Sequence, residues 1–223
     1  MGQYHPFVAA ALGVLVCVGP VSAAEEEMTG PEKKACQEHF RLDVHAHQPM
    51  TSVATPVAHT CSVGERNKFQ IPDPKCTPGA VNPSLTLEVL ADPEFKTACL
   101  RDEATSAEKK KETYAFYGIT EPRENSGKNQ TCELDHFISL ELGGADTLDN
   151  IWPQCGPDSA ELEERDFKQK DMVEDYLAFL VKNRRMSLGD AQKGIVQDWT
   201  QFLPKARVVC PGGKCEMAKL MAD

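Results

Sequence analysis

The chain has 223 residues and carries 34 Asp and Glu against 24 Lys and Arg, a formal net charge of −10. That balance argues against a broad basic face of the kind that holds nucleic acid by neutralising phosphates, so any such contact has to be local. The length fits one domain with an extension, or two small domains.

Residues 7–23 are almost entirely apolar and end in Val21-Ser22-Ala23, followed by Ala24 and three glutamates. This is the pattern of a secretory signal peptide spanning 1–23, which predicts a secreted or periplasmic protein with no stable membrane association after its removal. The leader takes Cys17 with it. Eight cysteines remain: Cys36, Cys61, Cys76, Cys99, Cys132, Cys155, Cys210 and Cys215. An even number in an exported chain predicts disulfides, and no C-x2-C pair supplies structural-zinc spacing. Order along the chain suggests Cys36–Cys61, Cys76–Cys99, Cys132–Cys155 and Cys210–Cys215, each pair flanking one local unit.

Residues 24–70 read as an irregular polar extension. His45-Ala46-His47 with Met50 can be read as a copper site, although no second ligand cluster accompanies it and ordinary surface histidines are the preferred reading. The Pro- and Gly-rich run 72–83 sets a boundary near residue 70, leaving 71–223 as the main domain. A helix is expected over about 105–117, opened by a capping box at Thr105-Ser106-Ala107-Glu108 and stopped at Gly118. Its Tyr114, Phe116 and Tyr117 could stack on bases, but a buried face is the preferred reading. A hairpin follows over 131–155, then helices over about 160–183 and 187–203. The first has an apolar stripe at Met172/Val173, Tyr176/Leu177 and Leu180/Val181. The second is capped by Ser187, buries Leu188, Ala191, Ile195, Trp199 and Phe202, and is ended by Pro204.

The chemistry concentrates in the hairpin. Asp135 and His136 stand side by side at the end of a short apolar strand, a Gly143-Gly144 turn follows, and Asn150 leads the second strand with thirteen residues between it and the histidine. A carboxylate can hold a divalent cation, a neutral imidazole can take a proton from water, and an amide can orient that imidazole. The segment 131–160 contains six acids and no Lys or Arg. Contact with nucleic acid would therefore fall to Lys109-Lys110-Lys111 and Lys182-Asn183-Arg184-Arg185, each of which also reads as a solvated helix face.

The string D-H-F-I-S-L-E-L-G-G…N-I-W-P-Q resembles the HNH endonuclease family, the ββα-metal nucleases. It is similar to an exported bacterial subgroup of that family with the pattern D-H-x-I-P-L-E-L-G-G…N-L-W-P-[QE]. The lead-in P-D-P-x-C-T-P-G-A at 72–80 and Lys170-Asp171-x-x-Glu174 are similar as well, and the resemblance covers about 70–203. It implies an α+β fold: a ββα-metal hairpin-plus-helix core embedded in additional α-helices and stabilised by disulfides. It further implies a metal-dependent endonuclease acting on DNA, and on RNA as a second target, without strong sequence choice. His136 would be the general base, Asn150 would hydrogen-bond its imidazole or its backbone and fix the tautomer, and Asp135 with Asp171 would hold one divalent ion, Mg²⁺ first and Mn²⁺ or Zn²⁺ as alternatives. Two positions depart from the pattern. Ser139 replaces a Pro, which would loosen the loop after the base. No His follows His136 to complete the metal shell, and Asp171 is preferred for that role over Asp158 or Ser159. Two rival readings are an inactive HNH-fold binding module and a periplasmic metal-binding protein using His45, His47 and Met50.

Overall fold

The computed structural model describes residues 28–101 and 103–222. The signal-peptide expectation and Cys17 lie outside the described residues. The architecture is α+β in the simple sense: helices surround three small antiparallel ladders. No helix among the described residues is long and apolar enough to cross a membrane.

Helix α1 (Gly30–Phe40) starts at Thr29, whose backbone N–H donates to Glu32 Oε2 at 2.8 Å, half of a capping box. It buries none of its residues, which is why no apolar period marked it in the sequence. Strand β1 (Gln48–Pro49) is followed by the β2–β3 hairpin (Gly64–Arg66, Phe69–Ile71) and by β4 (Ala80–Val81), which pairs back to β1. A short α2 (Leu87–Leu90) and a 3-10 turn at Thr97–Leu100 lead to α3 (Glu103–Tyr117). That helix already includes Thr105, so the expected capping box falls inside it, where helical backbone bonds leave no free cap. Gly118 stops it as expected, with φ +63°.

Strands β5 (Cys132–His136) and β6 (Ile151–Cys155) form the predicted hairpin, with Asp135 opposite Trp152 and His136 opposite Ile151. Helix α4 (Asp166–Lys182) packs across both strands. Helix α5 (Leu188–Asp198) is capped by Ser187, whose hydroxyl accepts from Asp190 N–H. A 3-10 turn follows it, and then α6 (Leu203–Val209) and α7 (Met217–Met221). Pro204 therefore opens α6 instead of ending the preceding helix, which suits a residue whose missing N–H costs nothing in a first turn.

The main core joins the hairpin to the C-terminal helices. Trp152, Ile138, Leu142, Val173, Leu177 and Trp199 are all fully buried in it. Burial of each such side chain stabilises the fold by roughly 1.5–3 kcal/mol. Tyr114 and Tyr117 belong to the buried set as well, so they are not stacking platforms. Burial pushes the Tyr117 hydroxyl up to about 12, against opposing hydrogen bonds with Thr77 and the Asp73 backbone.

Four disulfides are present. Cys132–Cys155 and Cys210–Cys215 pair as expected. The other four cysteines pair as Cys36–Cys99 and Cys61–Cys76, not as Cys36–Cys61 and Cys76–Cys99. The reason is tertiary. Helix α1 docks on the turn at Thr97–Leu100, where Gln37 Nε2 donates to the Cys99 carbonyl at 2.8 Å, and this brings together cysteines 63 residues apart. Cys61 and Cys76 are left to clamp the β2–β3 hairpin.

Candidate active site

The end of β5 and the loop after it build the site. Asn150 is wholly buried, and all of its side chain is spent on backbone. Its Oδ1 accepts from Ile138 N–H at 2.9 Å and Ala80 N–H at 3.2 Å, while Nδ2 donates to the carbonyls of Ile138 at 2.9 Å and Ala145 at 2.8 Å. Of the two expected partners, the imidazole and the backbone beside it, Asn150 takes backbone: it frames the loop from both ends. The loop can close this tightly only with glycine at 144. A Cβ there would lie 1.8 Å from the Ile138 carbonyl oxygen. Ser139 has φ −62°, the value a proline would impose. The Ser139 carbonyl accepts from both Leu142 and Gly144 N–H, so the exchange does not loosen the turn.

This frame brings Asp146 to the histidine. His136 Nε2 lies 3.0 Å from Asp146 Oδ1, and Lys109 Nζ from α3 binds Asp146 Oδ2 at 2.9 Å. Burial works to raise the Asp146 carboxyl, but hydrogen bonding and charge from His136 and then Lys109 outweigh it and hold it well below the carboxylate range. An ionised carboxylate only accepts. When the ring is neutral, Nε2 therefore carries its proton and Nδ1 is left as its acceptor. Asp146 is the residue the sequence did not single out. It stands in a loop, and only the folded turn puts it beside His136.

His136 opens onto a cavity of about 440 Å³. The cavity is lined by the carboxylates of Glu133, Asp135, Glu141, Asp171, Glu174 and Asp175, with Arg101 and Lys168 as its cationic lining. Asp135 and Asp171 both face it, but each is engaged by a lysine. Lys170 Nζ lies 2.8 Å from Asp135 Oδ2, which also accepts from Trp152 Nε1 at 3.1 Å. Lys168 Nζ lies 2.7 Å from Asp171 Oδ2. Lys170 is fully buried and also binds Glu174 and the His136 carbonyl. Burial works against its charge, and the Asp135 and Glu174 carboxylates outweigh this, so its ammonium is held above the ordinary lysine range. Among the described residues no three His, Cys, Asp or Glu side chains are grouped as metal ligands. The two carboxylates of the expected metal pair are instead each paired with an ammonium, Asp135 with Lys170 and Asp171 with Lys168.

The remaining candidates lie elsewhere. Asp158 and Ser159 are exposed in the turn after β6. His47 faces Asp149, Nε2 to Oδ2 at 3.7 Å, while Met50 packs against the main core. Of the two basic runs, Lys109 is committed to Asp146, and residues 182–185 are exposed at the end of α4.

No family model, curated protein or solved structure matches this chain.

Two outcomes follow from the geometry of the site. Asn150→Ala leaves buried backbone groups without partners and should destabilise the fold by about 3 kcal/mol or more, measured by urea denaturation. Glu133 and Asp175 are raised to about 7, by burial first and then by neighbouring carboxylates, chiefly Asp171 for Glu133 and Glu141 for Asp175. Between their unfolded values near about 4 and that folded value, the native state holds protons that the unfolded chain has released, so stability falls as pH rises through that window. Asp146 acts in the opposite sense: its contribution is present above about pH 4 and is lost as pH falls further. Melting temperatures across this range should decline toward neutrality, and Asp175→Asn should flatten the decline.

Proposed function

We propose that this chain is an exported nuclease that hydrolyses phosphodiester bonds in nucleic acid, DNA in the first place and RNA as a second target. The observation that carries the reading is the Lys109–Asp146–His136 chain, which ends on a histidine that lines the cavity. In the proposed reaction Nδ1 of His136 takes a proton from water as the water oxygen bonds to phosphorus, the bond from phosphorus to one sugar oxygen breaks, and that oxygen leaves with a proton from solvent. The imidazolium so formed is stabilised by Asp146, and Lys109 keeps Asp146 anionic. Arg101 and Lys168 are the cationic groups that would face the phosphate. The likeness to the ββα-metal hairpin and following helix supports this reading. So do four disulfides, which suit an oxidising compartment outside the cytosol.

A divalent ion at Asp135 and Asp171 was the expected cofactor. Lysines hold both carboxylates, and the proposed reaction uses protein groups alone. A stapled binding module without turnover is the second reading, favoured by the net charge of −10 and by the ammonium seated on Asp135.

Cleavage of supercoiled plasmid and of RNA, with Mg²⁺, Mn²⁺, Zn²⁺ or EDTA, tests the choice. His136→Ala should lower the rate by on the order of 10²–10⁴-fold, the usual contribution of a general base. A wild-type protein inert on both substrates under every condition would sink the nuclease and leave the binding module.

A further inference from the structure

We propose that Lys170 is the resident cation of this site: its ammonium fills the position between Asp135, Glu174 and the His136 carbonyl that a divalent ion would otherwise take. Phe167, Lys170, Val173, Glu174 and Leu177 recur at the three- and four-residue spacing of one helical face, and all five are buried. A lysine on such a stripe persists only when its charge is paired. An ammonium has three N–H donors. Here three oxygens accept them: Asp135 Oδ2 at 2.8 Å, the His136 carbonyl at 2.8 Å, and Glu174 Oε1. The donor count is complete, so the group is fully satisfied with no vacancy for a further ligand.

The chemistry of the surrounding atoms matches a hard cation. Two carboxylates and a backbone carbonyl are the oxygen donors that Mg²⁺ or Mn²⁺ prefers. Lys170 meets all three from the helix that packs on the hairpin. It is wholly buried and does not touch the cavity, so it is a positioning residue. It ties α4 to the main chain of His136 and to the carboxylate next to it, and it fixes where the imidazole stands. The site is accordingly assembled without a divalent ion. This concerns the electrostatics of the site and is measured without turnover, so it stands or falls separately from the nuclease reading.

The test is the indole N–H resonance of Trp152, whose Nε1 donates to Asp135. In the wild-type full chain, stoichiometric Mn²⁺ should leave that resonance sharp, and neither EDTA nor Mg²⁺ should move the melting temperature. Broadening of the wild-type resonance by Mn²⁺ would place an ion in the cavity and overturn the proposal, whether or not any variant folds. Lys170→Ala removes the ammonium and exposes the three oxygens to solvent ions. It should take up one Mn²⁺ per chain, lose the Trp152 resonance to broadening, and melt at a temperature that rises with Mg²⁺. A folded Lys170→Ala protein that binds no Mn²⁺ would equally overturn it.

Discussion

The site depends on one buried amide. Asn150 makes four hydrogen bonds to backbone, drawing together β4, the residues just after His136, and the residue just before Asp146. Each bond is modest in net terms, but leaving any partner unmet in a dry interior costs about 1–3 kcal/mol. That asymmetry makes the loop nearly rigid. It also explains why a histidine and an aspartate ten residues apart meet at hydrogen-bond distance. The close approach of Gly144 to the Ile138 carbonyl completes the same constraint from the other side.

Around this frame, two lysines organise the acids. Lys109 crosses from α3 to hold Asp146 ionised, and Lys170 crosses from α4 to hold Asp135 and Glu174. Both are taken out of the pool of surface charge that would meet a polyanion. The chain thus spends basic residues on internal order while its cavity keeps an excess of carboxylates, two of which lie near 7 in the fold. A phosphate entering the cavity would meet Arg101 and Lys168 against that acidic background, which favours local contact over broad electrostatic capture.

Much of this was legible in the sequence, and the failures share a cause. The hairpin, the Cys132–Cys155 clamp across it, the Ser187 cap and the Gly118 stop are local signals, and they were read from neighbouring residues alone. What was missed requires contacts between distant segments. Helix α1 buries no residue of its own, so it left no periodicity to detect, and its docking on the turn at Thr97–Leu100 reassigns two disulfides. Asn150 was visible as a polar residue leading an apolar strand, but its partners were not. Asp146 resembled any loop acid. Lys170 stood beside Asp171 in a matching segment, yet only the packing of α4 on β5 shows that the lysine, and not the aspartate, meets Asp135.

The most direct test of this account is the nitrogen NMR spectrum of His136 in wild type and in Asp146→Asn, at a pH where the ring is neutral. Wild-type His136 should carry its proton on Nε2, donated to Asp146, with Nδ1 unprotonated, and Asp146→Asn should abolish this preference. A proton on Nδ1 in the wild-type protein, or a tautomer unchanged by the substitution, would contradict it.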